Sequence, residues 1–188
     1  APFGPDPSIS ITPKEPPEPG GPGKPEYQIE AGGVNLVTNE KYLANGSAPG
    51  EEKGETATDV VFSITSNDGL ASVTINDVTY AVDRDGEGNL FLTGFPDVGV
   101  DGNVGTLRSP SLVDNGNGSY SLRFEYEFTG PHSHTGTGRD TAQDVDSFSV
   151  SVKSDSGASS STHLTIDVVD DVPAVNIGTD SGQYIVEE

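Results

Sequence analysis

Carboxylates are the most numerous groups in this sequence that can do chemistry, and they gather where strands are expected to end. Asp144 and Asp146 stand just ahead of Phe148, Asp170 and Asp171 precede Val172-Pro173, and Glu40 closes an earlier apolar run. Residues two apart in an extended chain project from one face, so Asp144 and Asp146 are expected to point the same way. Hard divalent cations take carboxylate and carbonyl oxygens, about six to eight of them in the case of calcium. The pattern points to calcium (Ca2+) held at the ends of a β-domain by Glu40, Asp144, Asp146, Asp170 and Asp171. The competing account is a set of ordinary solvated charges.

Other chemistries find less support. His132-Ser133-His134, with Asp140 nearby, has the donors for a transition metal, but two histidines in a glycine-rich loop are more often inert. His163 falls on the outward parity of a strand. Asp83-Arg84-Asp85-Gly86-Glu87-Gly88-Asn89 imitates the start of a helix–loop–helix calcium loop. Gly94 then stands where a bidentate Glu belongs, so a hairpin turn is the better reading. Asp101-Gly102-Asn103 is weaker still. No nucleophile elbow, phosphate-binding loop, zinc-protease motif or dinucleotide glycine pattern occurs. The expectation is a protein that is not an enzyme.

The 188 residues carry 30 Asp and Glu against 9 Lys and Arg, a formal net charge of −21. Nucleic acid is not an expected partner, because binding it relies on cationic side chains that neutralise phosphates. Cysteine is absent, which removes disulfides and thiolate metal sites. No apolar run approaches the ~20 residues of a membrane helix, so no membrane insertion is expected. No secretion signal is read at Ala1; one is expected elsewhere in a longer parent chain. A monomer is expected.

The elements that must position the carboxylates are strands. Phe148, Val150 and Val152 alternate with Ser147, Ser149, Ser151 and Lys153, and Leu164, Ile166 and Val168 alternate with Thr165 and Asp167. This is the period of half-buried strands, here joined in a hairpin through Ser154 to Gly157. Asp114 to Gly118 is a second hairpin signal. It opens a strand over Ser119 to Thr129, read as the longest, with Tyr120, Leu122, Phe124, Tyr126 and Phe128 on one face. Val34, Leu36 and Val37 mark a first strand, and Asp59 to Thr65 another, with Val61 inward and Phe62 as the second inward candidate; Val104 to Leu107 mark a weak strand. The expected fold is all-β, a sandwich of about seven to nine antiparallel strands.

Three segments are expected. Residues 1–25 are proline- and glycine-rich and read as a disordered linker. Residues 26–173 are the sandwich. Residues 174–188 restart the pattern of Tyr27 to Glu40, with Glu188 standing 148 residues after Glu40. Such self-similarity marks a tandem array, in which Asp170 and Asp171 would face Glu187 or Glu188 of the neighbouring copy. Glu188 therefore joins the candidate metal ligands.

The stretches NEKYLANGSAPG, NDGLASVTI, NLFLTGF and DSFSVSVKSDSG…LTIDVVDDVP, in this order, resemble the long Ig-like or cadherin-like tandem repeat of giant type I-secreted bacterial adhesins, the RTX and biofilm-associated (Bap-like) kind. The resemblance covers Glu26 to Pro173. It implies an extracellular, surface-anchored stalk repeat acting in cell adhesion and biofilm formation and stiffened by calcium. Its metal positions carry over to Glu40, Asp146, Asp170 and Asp171, and less securely to Asp144. Neighbouring repeats are the implied partners. The family's denser acidic hairpin is reduced here to Asp155-Ser156-Gly157. A second expectation is an extracellular module that binds carbohydrate or protein on a host or matrix surface. It would draw on Tyr42, Tyr80 and Phe95 as outward-facing aromatics.

Overall fold

The computed structural model describes residues 6–17, 23–49, 56–131 and 141–171. Among them are strands β1 (Ile9–Lys14), β2 (Glu26–Glu30), β3 (Gly33–Asn39), β4 (Ala57–Ser66), β5 (Ser72–Ile75) and β6 (Val78–Arg84). There follow β7 (Leu90–Leu92), β8 (Val100–Asp101), β9 (Gly105–Gly116), β10 (Ser119–Phe128), β11 (Thr141–Lys153) and β12 (Ser159–Val169). One sheet has the order β1-β4-β10-β9-β8 and the other β2-β3-β12-β11-β5-β6-β7. The all-β sandwich is as expected, with more strands than the seven to nine anticipated. Pairing is antiparallel except that β3 runs parallel to β12, with Val34 opposite Leu164 and Asn39 opposite Val169.

Alternation explains which side chains meet between the sheets. In β10, Tyr120, Leu122, Phe124, Tyr126 and Phe128 are all buried. Their outward neighbours Glu125 and Glu127 hold Arg108 of β9 at 2.8 and 2.6 Å. Phe148, Val150 and Val152 of β11 and Leu164, Ile166 and Val168 of β12 close the core from the other sheet. Each such side chain contributes about 1.5–3 kcal/mol by leaving water. In β4 the core-facing residues are Val60, Phe62 and Ile64, so the inward parity is that of Phe62 and not of Val61. The longest strand is β11, not β10.

Part of the expected linker is a strand. Ile9–Lys14 pairs residue by residue with β4, Ile9 opposite Ser66 and Lys14 opposite Val61, and Ile11 is buried. The proline-rich composition of residues 1–25 conceals the alternating Ile-Ser-Ile-Thr within it. Pro13 is tolerated because β1 lies at the sheet edge.

Tyr27 of β2 fastens the two sheets on this side. Its hydroxyl donates to the Lys14 carbonyl at 2.7 Å and accepts from the Val61 N–H at 3.1 Å. Burial pushes its phenol up to about 12, with nearby Glu15 adding to the rise. An unfolded chain ionises tyrosine near pH 10. Tyr27 therefore contributes stability that is complete below pH 10 and is lost as the pH rises through about 12. Urea unfolding across this window should show a shallower alkaline loss for Tyr27→Phe than for the native chain. Equal slopes would refute the assignment.

Candidate functional site

β3 and β12 end side by side, because Asn39 lies opposite Val169. The residues that follow, Glu40 on one and Asp170 and Asp171 on the other, are thereby brought to one end of the sandwich. Asn39 starts the short 3-10 turn Glu40–Tyr42 by accepting the Lys41 N–H on its side chain at 3.0 Å. Leu43 N–H then donates to the Glu40 carbonyl, Gly46 N–H to Leu43 and Ala48 N–H to Lys41. A side chain at Gly46 would collide with the Lys41 and Glu40 carbonyls, so only glycine lets the loop fold this tightly. The loop is tied back to the strand end by Ser47, whose N–H donates to Asp171 at 2.9 Å and whose hydroxyl donates to the other carboxylate oxygen.

Glu40, Asp170 and Asp171 line one cleft of about 260 Å³, together with Leu43 to Gly46, Thr129 and Pro131. Glu40 is buried, and it and Asp170 are both already engaged in interactions. The donors are carboxylate and carbonyl oxygens, the set that suits a hard cation. Among the described residues, no three His, Cys, Asp or Glu side chains close into a group that could hold a metal ion.

Asp144 and Asp146 lie elsewhere and do not share a face. The β11–β12 register slips between Ala142 and Asp146, and Asp144 takes a left-handed conformation at φ 53°. Asp is one of the few non-glycine residues that enter that region readily. The Asp144 N–H is held by Asp167 at 3.0 Å, and its side chain is exposed.

Asp146 is 1% exposed and points between the sheets. One carboxylate oxygen accepts the Asn103 N–H; the other accepts the Val104 N–H at 3.2 Å and the Tyr126 hydroxyl at 2.7 Å. Gly102 makes room, since a side chain there would strike the carboxylate. Burial, reinforced by Asp146, drives the Tyr126 phenol well above its ordinary range. Asp146 thus binds β11 of one sheet to β10 and the β8–β9 loop of the other. Its three donors come from the protein itself, a role that sequence reasoning missed. The signal was present: the parity that turns Phe148 inward turns Asp146 inward too.

The remaining candidates resolve as turns or lie outside the described residues. Asp85 accepts the Glu87 and Asn89 N–H groups at 2.8 and 2.9 Å, closing a hairpin turn. Those backbone bonds hold its carboxyl below the usual range. Asp101 accepts from the Thr106 hydroxyl at 3.0 Å. His163 lies 3.8 Å from Glu30 on the outer face. Tyr80 is buried rather than outward, packed at 5.2 Å against the half-buried Phe95; Tyr42 is half-buried under Lys41. Glu188, Glu187, His132, His134, Asp140 and the 174–188 restart lie outside the described residues.

No protein-family model matches the chain, and neither a curated protein nor a solved structure matches it.

Proposed function

We propose that this chain is a non-catalytic, calcium-stabilised extender repeat of a secreted bacterial surface adhesin, joined end to end with neighbouring copies in a stalk that serves adhesion and biofilm formation. One observation carries this reading: the described residues at the start of the chain and those at its far end lie at opposite ends of the sandwich. Ser8 and Ile9 meet Asn67 and Ser66, and Ile11 N–H donates to Ser160 near the start of β12. Asp171, the last described residue, stands just past the far end of β12. The eleven residues of β12 rise about 3.3 Å each, so the two ends stand roughly 33 Å apart. That geometry suits a spacer, and the Glu40–Asp170–Asp171 cleft lies at the Asp171 end, where a neighbouring copy would begin.

Calcium would be shared there by Glu40, Asp170 and Asp171, with backbone carbonyls, water and oxygens of the next copy completing the shell. Extracellular modules of this type bind with dissociation constants of about 10⁻⁴–10⁻³ M. About 10 mM calcium would then stabilise the fold by about 1.4–2.7 kcal/mol. For a domain of this size that raises Tm by about 3–10 °C. The test is calorimetry in EDTA against calcium, with magnesium as control, on the native chain and on Glu40→Gln/Asp170→Asn/Asp171→Asn. Calcium should raise the native Tm and leave that of the triple variant unmoved. An unchanged native Tm would remove calcium from the proposal.

A second reading is favoured by a groove of about 340 Å³ on the outer face of the five-stranded sheet. It is lined by Lys14, Val61, Val113 and Arg123, among others. A module that binds a host or matrix ligand would use it, and Arg123→Ala would then abolish capture in a glycan or matrix-protein binding assay.

A further inference from the structure

The sequence contains three Asn-Gly steps: Asn45-Gly46, Asn115-Gly116 and Asn117-Gly118. Such a step can modify itself. The glycine backbone nitrogen attacks the asparagine side-chain carbon, forming a five-membered succinimide. The nitrogen gives up its proton and the side-chain amide leaves as ammonia. Water then opens the ring at either carbonyl, producing aspartate or isoaspartate, in which the backbone runs through the former side chain. Glycine permits the attack because no Cβ crowds its nitrogen. By sequence alone the three steps are equivalent.

The fold makes them unequal. At the first, the Gly46 N–H donates to the Leu43 carbonyl at 2.8 Å, inside the tight loop described above. At the second, the Gly116 N–H donates to Asp114 at 2.9 Å and the Asn115 amide donates to Ser121 at 2.9 Å. Both the attacking nitrogen and the departing amide are held. The third step caps the β9–β10 hairpin. Asn117 is exposed, with φ 57°. Among the described residues, neither its side chain nor the Gly118 N–H has a hydrogen-bond partner.

We propose that Asn117-Gly118 is a self-modification site of this protein, converting through a succinimide to aspartate or isoaspartate while Asn45 and Asn115 are protected by the fold. The conversion has a structural consequence. The Gly118 carbonyl accepts the Ser66 N–H at 2.8 Å, closing the end of β4 onto the hairpin. Isoaspartate lengthens the backbone inside the two-residue turn and adds a negative charge near Asp114, so this closure loosens in the modified form.

The test is to incubate the folded chain at mildly alkaline pH and map all three sites by peptide mass spectrometry with isoaspartate detection. Asn117 should convert first, each hydrogen bond retained at the other sites slowing reaction about two- to tenfold. In urea the three should convert at comparable rates. Asp114→Ala, which frees the Gly116 N–H, should raise conversion at Asn115. Equal conversion in the folded chain, a lead by Asn45 or Asn115, no conversion at Asn117, or a lead at Asn117 that persists in urea would each overturn the proposal. The folded-against-urea comparison on the native chain stands even if the Asp114 variant fails to fold.

Discussion

Asp146→Ala is expected to destabilise the fold by about 3–5 kcal/mol, because it strands several buried donors at once. The Asn103 and Val104 N–H groups and the Tyr126 hydroxyl all end on this carboxylate, between the sheets. Alanine leaves them without an acceptor and opens a void beside Tyr126, which is fully buried. Asp146→Asn preserves volume but turns an N–H toward a donor, so about 1–3 kcal/mol is expected. Tyr126→Phe removes one donor and should cost less than the alanine change. A double-mutant cycle between Asp146 and Tyr126 should show coupling, since they share one hydrogen bond. Urea unfolding measures all of these. Because the donors belong to the protein, the loss should be the same in EDTA and in calcium. A loss seen only in calcium would return Asp146 to the metal-ligand role suggested by the sequence.

Deleting Ala1 to Lys14 is expected to cost about 3 kcal/mol or more, whereas removing a linker would change stability by less than about 0.5 kcal/mol. The deletion strips β1 from the edge of β4, exposes the surface that Ile11 covers, and removes the carbonyl to which Tyr27 donates. Ile11→Ala alone should cost about 2–4 kcal/mol. Comparing the two separates side-chain burial from strand pairing. If the truncated chain melts with the native one, β1 contributes nothing to the fold in solution.

Where the apolar pattern is regular the strands are legible: Tyr120 to Phe128 of β10, Phe148 to Val152 of β11 and Leu164 to Val168 of β12 alternate without a break. β1 was lost because proline dominates the composition around it, although six residues suffice to pair with an edge. β9 was read only at its start and at its closing turn, since Arg108-Ser-Pro-Ser111 breaks its alternation. Asp144 and Asp146 were assigned one face because their spacing is that of a regular strand. A single left-handed residue within β11, Asp144 itself, cancels that rule, and spacing has no means of announcing it.

By itself the sequence determined the two-layer β architecture, the identity of most core residues and the acidity of the strand ends, since alternation and composition are local properties. The tertiary structure alone decided which ends meet. Glu40 and Asp170 are 130 residues apart in the chain, and their adjacency follows from β3 entering parallel to β12 with Asn39 opposite Val169. Tertiary structure likewise decided that Asp146 serves the core rather than the rim, because its donors lie in the opposite sheet. Hydrogen bonds between distant segments depend on register, and no local pattern encodes register between strands so far apart.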